Sequence, residues 1–363
     1  MTTADPSQPA PREEEEADSP AAVTALFTYL HSLTPTTDPT PVLPTVLSPT
    51  TLLHTSTDPT DPENQPTPLH IAARKGNLAA VQWMLLKGAP WNAIDARGVS
   101  VGEYAKEAGW DEVYEALVCE GVRTELVLMA LGKGTTVKPA SAHPSNASYL
   151  SRRLTFSSGR LLDSDANAVM MGWEAPLMTL HAAVIAPTPG KRVLNVGFGL
   201  GLIDTDLQTL SPSHHVIIEA HPDVYAHMVA EGWTTRPNVT VIFSRWQDAL
   251  PQLYAMPEPF DGIFFDTFGE YYDDLKEFHE HVPNLLAQSG VYSFFNGLAG
   301  TNPFFHDVAC ALAEADLRDM GLRCEFREVQ VDELGDETWK GIKRAYWSLP
   351  VYRLPVCTFD EGL

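Results

Sequence analysis

The sequence predicts an α/β protein in which a doubly wound, seven-stranded sheet follows a small all-α domain. Three observations predict this arrangement. Apolar runs of strand length alternate with helical patterns after about residue 190, and such alternation is typical of a parallel sheet covered by helices. A glycine-rich turn follows the first of these runs at 197–201. A helical segment with an internal repeat lies nearer the N-terminus, at 67–121.

Length and composition indicate a globular protein with two domains. At 363 residues the chain is long enough to build two hydrophobic cores. Lys and Arg number 24 against 47 Asp and Glu, which gives a formal net charge of −23. Such an acidic surface repels nucleic acid phosphates and anionic lipids and attracts basic proteins. We therefore expect no direct nucleic-acid contact and no membrane contact. From charge alone, acidity that serves only solubility is the favoured interpretation, and a basic protein partner is the alternative.

The cysteines and the N-terminus indicate a cellular compartment. Cys119, Cys310, Cys324 and Cys357 form no C-x-x-C pair, which is typical of reduced, mostly buried thiols in an intracellular protein. The N-terminus carries Glu at 13–16 instead of a basic and then apolar segment, and no apolar run reaches the length of a membrane span. We therefore expect neither a signal peptide nor a transmembrane helix.

The composition changes three times along the chain. Residues 1–20 are rich in Pro, Glu and Ser and are predicted to form a disordered acidic N-terminus. Helical patterns, interrupted by a Pro- and Thr-rich stretch, define a repeat region over 21–125. A polar connection with Gly and Pro spans 122–148 and predicts a linker over 126–147. The α/β domain is predicted over 148–363.

The repeat region contains a motif and a fainter copy of it. Residues 67–73 read T-P-L-H-I-A-A, and adding 33 relates Thr67 to Ser100 and the glycines at 76 and 88 to those at 109 and 121. The hydroxyl caps a helix, proline suits its first turn, and glycine permits a left-handed turn. The pattern resembles the ankyrin repeat. Within it we interpret His70 as a structural hydrogen-bonding residue, not as a metal ligand or a catalytic group.

The α/β domain alternates strand-like runs with helical patterns. Strands are predicted at 191–196, 214–219, 239–243, 260–266, 290–295, 322–330 and 344–352. Helices are predicted near 201–210, 222–231, 246–254, 273–287 and 303–319. A short polar link joins the last two strands, which are expected to pair as an antiparallel hairpin.

Ligands of a parallel sheet bind beyond the carboxyl ends of its strands, so we examine the residues at those ends. The turn at 197–201 reads G-x-G-x-G, not the G-x-G-x-x-G of dinucleotide sites. This spacing favours S-adenosylmethionine, which has no pyrophosphate. Glu219 ends the second strand and suits the ribose hydroxyls, and Trp246 and Gln247 follow the third and suit the adenine. Asp266 ends the fourth. The alternatives are helix caps for the two acids and core packing for Trp246.

A further acid, Glu174, lies upstream in the apolar stretch V-M-M-G-W-E-A-P-L-M at 169–178. An isolated carboxylate is costly in an apolar setting unless a cation accompanies it. The pattern therefore favours a pocket for a cationic group, and an exposed acid on a helix is the alternative.

In chain order, these segments resemble a known family. V-M-x-x-W-E-x-P-x-M, R-V-L-N-V-G-F-G, I-I-E, W-Q-D and F-D-G-I-F-F-D-T-F are similar to the signature segments of guanidinoacetate methyltransferase. They are still more similar to those of the fungal protein arginine δ-N-methyltransferases (type IV), which also carry N-terminal ankyrin repeats. The resemblance implies the class I methyltransferase fold, S-adenosylmethionine as the cofactor, and direct displacement without a metal.

The resemblance also implies roles for particular residues. Glu174 and Asp266 would bind the guanidinium of the acceptor and act in catalysis. Phe156 is an alternative to Tyr149, and Asn195 stands where many methyltransferases carry an acid that binds the amino group of the cofactor. The positions implied to contact S-adenosylmethionine are Tyr149, Met170, Met178, Gly197, Phe198, Gly199, Leu200, Gly201, Leu202, Glu219, Ala220, His221, Trp246, Gln247 and Asp266.

The implied function is methyl transfer to the δ nitrogen of arginine in a basic protein substrate. Ribosomal proteins are one candidate substrate, and the implied locations are the cytoplasm and the nucleus. The residues alone do not indicate which nitrogen reacts, and they leave the oligomeric state open. Two alternatives are methylation of a small guanidino compound and an ankyrin adaptor whose methyltransferase fold is inactive.

Overall fold

The computed structural model describes residues 20–46, 52–55, 57–132, 149–268 and 272–360. Contacts divide the chain into two units, Met1–Val127 and Leu128–Leu363, which we describe separately. The predicted disordered N-terminus up to residue 19 lies outside the described residues, as do residues 133–147 of the predicted linker. No helix in the described ranges is long and apolar enough to cross a membrane.

The first unit is helical, and its helices repeat with the predicted period. The helices are α1 (Pro20–Ser32), α2 (Leu43–Val46), α3 (Leu52–Thr55), α4 (Pro68–Arg74), α5 (Leu78–Leu86), α6 (Val101–Glu107) and α7 (Asp111–Ala130). The start of α4 is followed 33 residues later by that of α6, and the start of α5 by that of α7. Helix α1 lies at the start of the predicted repeat region.

The two repeats cap their first helices with different residues at the same position. The His70 Nδ1 atom accepts from the backbone N–H of Thr67 at 3.2 Å, so Nε2 carries the proton and faces the Val99 carbonyl oxygen at 3.3 Å. Burial lowers the pKa of His70 to about 4, which keeps the ring neutral. In the second repeat Glu103 accepts from the backbone N–H of Ser100 at 2.8 Å. The faint copy is therefore built like the first.

The second repeat departs from the first at its end. Gly88 has a φ of +89° after α5, whereas Gly121 is buried inside α7. The predicted polar connection over 122–148 is therefore wrong at its start, because residues 122–130 are helical. Val113, Leu117 and Gly121 are buried at a spacing of four. This spacing places them on one helix face, and that burial outweighs the cost of one interior glycine, about 1 kcal/mol.

A three-stranded antiparallel sheet opens the second unit and was not predicted. Its strands, in spatial order, are β1 (Leu154–Ser157), β2 (Arg160–Asp163) and β3 (Ala168–Met171). Four residues are too few to establish an alternating pattern. A short 3-10 turn, Gly172–Glu174, joins β3 to helix α8 (Ala175–Ile185). Glu174 thus lies at a strand–helix junction.

The predicted seven-stranded sheet is confirmed. Its order is β6-β5-β4-β7-β8-β10-β9, with the first five strands parallel and β10 antiparallel to both neighbours. The central strands are buried almost throughout, as in a sheet covered on both faces. The strands are β4 (Arg192–Val196), β5 (His214–Glu219), β6 (Val239–Phe243), β7 (Phe260–Phe265), β8 (Leu286–Phe294), β9 (Leu322–Gln330) and β10 (Val351–Phe359).

Four of the five helices predicted for the second unit are observed as single helices, whereas α8 and a short helix over Asp336–Trp339 were not predicted. The predicted helix at 273–287 is two helices, and its last residues belong to β8. The helices after α8 are α9 (Leu202–Thr209), α10 (Pro222–Ala230), α11 (Trp246–Tyr254), α12 (Tyr272–His279), α13 (Val282–Leu285), α14 (Pro303–Asp319) and α15 (Asp336–Trp339). A 3-10 turn at Trp233–Thr235 follows α10.

The seventh strand lies later in the chain than predicted. The sequence places it at 344–352, whereas β10 spans Val351–Phe359 and includes Pro355. A proline inside a run argues against a strand, because it cannot donate to a neighbouring strand. Here β10 pairs with β8 where Cys357 lies opposite Tyr292, two residues after the proline. The apolar residues before β10, among them Trp347, are buried without forming a strand.

Candidate active site

The order of the strands reverses between β4 and β7. From β4 the chain continues to β5 and β6, and it then returns to β7 on the other side of β4. A crevice that binds ligands forms at the carboxyl ends of the strands where the order reverses. In this protein it is a cleft of about 1530 Å³, counting its open mouth. The turn after β4 and Asp266 after β7 both lie on its wall.

The glycine turn joins three elements of the cleft wall. Gly197 has a φ of +97°, and a Cβ atom there would lie 1.8 Å from the Asp266 carbonyl oxygen. Gly199 has a φ of +55°, and a Cβ atom there would lie 2.8 Å from the Met170 Sδ atom. The G-x-G-x-G spacing predicted a turn that leaves room for a cofactor. In the structure, the space that side chains would fill at these two glycines is occupied by neighbouring parts of the protein. The turn therefore holds the ends of β3, β4 and β7 together.

Glu219 forms the next part of the wall, at the end of β5. Its Oε2 atom accepts from the Phe198 N–H at 3.0 Å, and its Oε1 atom accepts from the His221 N–H at 2.6 Å. Burial raises the pKa of Glu219, and these backbone donors oppose that effect. The carboxylate is thus held beside the glycine turn, where its remaining lone pairs suit two ribose hydroxyls.

Trp246 and Gln247 follow β6 and also line the cleft. The Trp246 ring packs edge-on against Phe278, with centroids 5.3 Å apart, and the Gln247 Nε2 atom donates to Glu277 at 3.2 Å. Both interpretations of Trp246 therefore fit, because the same ring packs in the core and faces the cleft. The two side chains provide a flat surface and an amide for an adenine ring.

Tyr149 and Met170 also line the cleft. The Tyr149 ring stacks on Phe268, with centroids 3.9 Å apart and planes 17° apart. Phe156, the alternative aromatic, stacks instead on His227 and is not part of the cleft wall. The geometry therefore favours Tyr149 over Phe156 as the cofactor-side aromatic.

Glu174 and Asp266 face the same cleft. The Glu174 Oε1 atom accepts from the Met171 N–H at 2.8 Å and from the Tyr346 hydroxyl. Burial, and second the negative charge of Asp266, raise the pKa of Glu174 to about 8. A cation bound between these acids would favour the ionised form of Glu174. The pair is thus suited to bind a group with positive charge and several N–H donors.

The predicted site residues fall into two groups. Those on the cleft wall are Tyr149, Met170, Glu174, Gly197, Gly199, Glu219, Ala220, Trp246, Gln247 and Asp266. Those that support it from behind or at its edge are Met178, Phe198, Leu200, Gly201, Leu202 and His221.

The supporting residues act through packing and backbone bonds. Met178 is fully buried in a cluster with Val193 and Phe264. The Phe198 ring packs against Trp233, with centroids 5.2 Å apart. The His221 side chain lies 2.9 Å from the Arg152 carbonyl oxygen, and only its backbone N–H reaches Glu219. These positions shape the wall that the cleft residues form.

Asn195 has a structural position instead of the cofactor contact that the resemblance suggested. Its Nδ2 atom donates to both carboxylate oxygens of Asp204, at 2.9 and 2.8 Å, and to the Gly197 carbonyl oxygen at 2.9 Å. The residue is fully buried and is not on the cleft wall. An amide is needed here because a carboxylate would face the Asp204 carboxylate.

The sequence did not indicate Tyr346, which bonds directly to Glu174. These two residues are 172 positions apart, and Tyr346 lies in the segment that we expected to be a strand. The only signal was the aromatic content around residues 346 and 347, which indicated burial and not a site. Phe268, Leu275, Phe295 and Leu298 also line the cleft and carried no chemical signal.

The described part of the chain contains no group of three or more His, Cys, Asp or Glu side chains placed to hold a metal ion. The polar groups of the cleft instead suit an adenosine-bearing cofactor. The Glu219 carboxylate, the Trp246 ring, the Gln247 amide and the glycine turn all line the cleft. Together with the reversed last strand of the sheet, this site defines the protein as a class I methyltransferase.

Comparisons with known proteins identify the family. Residues 157–337 match the family model described as guanidinoacetate N-methyltransferase, and residues 65–96 match the ankyrin repeat. Protein arginine N-methyltransferase 2 of Aspergillus oryzae is 39% identical over 324 residues, covering 78% of each chain. The Cryptococcus neoformans protein of the same name is 38% identical over 318 residues, covering 79% of this chain and 84% of its own.

This chain belongs to the protein arginine N-methyltransferase 2 family of fungi. It is therefore an enzyme that uses S-adenosylmethionine. Among solved structures, the O-methyltransferase TomG from Streptomyces achromogenes is 17% identical with a TM-score of 0.37, over 51% of this chain and 79% of its own.

Proposed function

We propose that this enzyme transfers a methyl group from S-adenosylmethionine to the δ nitrogen of arginine residues in protein substrates. One observation carries the proposal: Glu174 and Asp266 share a single cleft with the glycine turn and Glu219. Arginine methylation agrees with the name of the family. The choice of the δ nitrogen as the reacting atom is more specific than that name, and the resemblance to type IV enzymes supports it.

The cleft residues have the donors and acceptors that the cofactor requires. Glu219 would accept from the ribose hydroxyls, and Trp246 and Gln247 would hold the adenine. Tyr149 and Met170, which also line the cleft, would contact the cofactor as well. S-adenosylmethionine supplies an electrophilic methyl group on a positively charged sulfur. The task of the protein is to bring a nucleophilic nitrogen in line with that group.

The two acids suit a guanidinium as the acceptor. This group is planar, protonated at neutral pH, and presents its N–H donors in a fork. If Glu174 and Asp266 each accept from a terminal nitrogen, the δ nitrogen is the one left for transfer. Such alignment contributes roughly 7 kcal/mol to lowering a barrier in favourable cases. The carboxylates also provide acceptors for the proton that the nitrogen releases.

Two features favour a protein as the substrate over a small molecule. The first unit is built of ankyrin-type repeats, a fold that binds proteins. The formal net charge of −23 favours the approach of a basic protein. A basic protein is therefore the proposed partner, with ribosomal proteins as one candidate.

A second candidate function is methylation of a small guanidino compound. The match of residues 157–337 to the guanidinoacetate N-methyltransferase model favours it. Free guanidino acids should compete poorly with a protein substrate if the main proposal is correct. Strong competition at equal concentration would favour the small-molecule function.

A transfer assay tests the proposal. The full chain is incubated with methyl-labelled S-adenosylmethionine and a basic protein extract, alongside Asp266→Asn and the surface variant Glu231→Gln. We expect label on protein with the wild type and Glu231→Gln, and at least a 100-fold loss with Asp266→Asn. Label on guanidinoacetate and on no protein would contradict the proposal.

A further inference from the structure

Tyr346 lies on the cleft wall and contacts Glu174 directly. It belongs to the irregular segment before β10, far in sequence from the other cleft residues. Its hydroxyl donates to the Glu174 Oε1 atom and lies 3.0 Å from the Trp173 Nε1 atom. Three side chains thus form a short hydrogen-bonded row that ends at a catalytic carboxylate.

The chemistry of these groups fixes the direction of each bond. An indole N–H donates and does not accept, so Trp173 donates to the Tyr346 oxygen. The single proton of the Tyr346 hydroxyl is therefore directed at Glu174. Burial raises the pKa of Tyr346 well above its ordinary value, so the hydroxyl stays protonated. The row cannot carry a proton away from Glu174, because Trp173 has no site to accept one.

Both hydrogen bonds to Glu174 within the described residues end on the same oxygen. Oε1 accepts from the Met171 N–H at 2.8 Å and from Tyr346. Oε2 is thereby the oxygen left for a ligand in the cleft. Donors from two separate elements fix the plane of the carboxylate, because each constrains one lone-pair direction of Oε1.

We propose that Tyr346 is a positioning residue for methyl transfer, which orients the Glu174 carboxylate so that Oε2 meets the guanidinium of the substrate. This inference rests on the proposed function, since it assumes a guanidinium acceptor. Tyr346 is not itself a proton acceptor in the reaction. It acts through Glu174, and its effect is expected on both the orientation and the ionisation of that acid.

The surroundings of Glu174 set the expected pH effect. Asp266, Tyr346 and Tyr352 are the titratable groups that interact with it, and Met171 contributes a backbone donor. The bond from Tyr346 lowers the pKa of Glu174, whereas burial and Asp266 raise it. Removing the hydroxyl therefore raises this pKa further. The acid limb of the activity profile should then move to higher pH.

A role in packing alone is the competing explanation, and it predicts a different result. The Tyr346 ring lies 5.8 Å from Trp173 and 5.1 Å from Trp339, measured between centroids. Phenylalanine preserves these ring contacts and removes only the hydroxyl. Tyr346→Phe should therefore leave activity unchanged if the residue only packs.

The test measures kcat and KM against pH for methyl transfer to a basic protein, with wild type, Tyr346→Phe and Tyr254→Phe. Tyr254 is the control, because its hydroxyl bonds to His281 at 2.7 Å and it is not on the cleft wall. For Tyr346→Phe we expect kcat/KM to fall about 10- to 100-fold at neutral pH. We expect the midpoint of the acid limb of the pH profile to move to higher pH by roughly one unit or more. The affinity for S-adenosylmethionine should stay unchanged.

A second variant keeps the inference testable if Tyr346→Phe does not fold. Trp173→Phe removes the donor that orients the Tyr346 hydroxyl, so it should shift the acid limb in the same direction by a smaller amount. Wild-type kcat/KM and an unmoved acid limb in a folded Tyr346→Phe would overturn the inference. If the wild type methylates only free guanidino compounds, the proposed function fails, and the same comparison with guanidinoacetate still tests Tyr346.

Discussion

Glu174 is a buried carboxyl group in the cleft with a strongly raised pKa. It is only 3% exposed, and burial together with Asp266 raises its pKa to about 8. A carboxyl group whose pKa rises on folding stabilises the protein below its unfolded pKa and loses that effect as pH rises to the folded value. Glu174 should therefore destabilise the ligand-free protein progressively between about pH 4.5 and about pH 8. The total effect is on the order of a few kcal/mol.

Replacing Glu174 by Gln should remove this pH dependence. The amide oxygen can accept the same two hydrogen bonds without carrying a charge. We expect the free energy of unfolding of Glu174→Gln to match the wild type at about pH 4 and below, where Glu174 is protonated in both states, and to exceed it increasingly up to about pH 8. Urea denaturation across this range measures the difference, and Glu231→Gln on the surface is the control. An identical pH dependence in wild type and Glu174→Gln would contradict the assignment.

Glu219 allows an independent test of the cofactor side. Its carboxylate receives backbone N–H groups on both oxygens, so an amide nitrogen in Glu219→Gln would face a donor. We expect the affinity for S-adenosylmethionine to fall about 10- to 100-fold, because hydrogen bonds to a charged group are lost. Titration calorimetry measures this change. Unchanged affinity in a folded Glu219→Gln would show that the ribose binds elsewhere.

Among the structural elements, the turn between β4 and α9 is the most constrained. Gly197→Ala places a methyl group 1.8 Å from the Asp266 carbonyl oxygen at a φ of +97°. Gly190→Ala is a matched control, since Gly190 also has a positive φ, +83°, and an added Cβ atom there would meet no described atom beyond its chain neighbours within 4 Å. We expect the control to cost about 1–2 kcal/mol of stability, and Gly197→Ala to cost roughly 1–3 kcal/mol more. Equal losses, measured by thermal unfolding, would mean that the close approach does not matter.

The elements differ in how well the sequence predicts them. The parallel strands are predicted within a few residues, because each is a continuous apolar run between a turn and a helical pattern. The first repeat is predicted because Thr67 and Pro68 act locally on the first turn of α4. Strand β10 is shifted because Pro355 argues against a strand locally, and only the pairing with β9 and β8 decides its position.

The candidate site shows the same division. Glu219 and Asp266 are predictable because strand ends in a parallel sheet converge on one edge. Tyr346 is not, because its meeting with Glu174 depends on the path of the segment between β9 and β10. Asn195 misled the interpretation for a related reason. Its partner Asp204 lies nine residues later, in α9, and nothing in the sequence indicates that the two side chains meet.

At the scale of the whole molecule, net charge should influence substrate choice. The formal charge of −23 attracts a basic protein. At physiological ionic strength, salt screens this attraction between exposed charges more than about 8 Å apart. We expect KM for a basic protein to rise several-fold as salt increases, with kcat nearly constant. Guanidinoacetate, which has no net charge, serves as the control and should show little change. A KM for the protein that does not depend on salt would remove charge from the account of recognition.

The central claim is that this enzyme methylates the δ nitrogen of arginine in proteins. Mass spectrometry of a protein modified by the full chain tests it most directly, since fragmentation distinguishes a methyl group on the δ nitrogen from one on a terminal nitrogen. Asp266→Asn provides the unmodified reference. We expect fragments that place the methyl group on the δ nitrogen. Fragments that place it on a terminal nitrogen would contradict the proposed reaction.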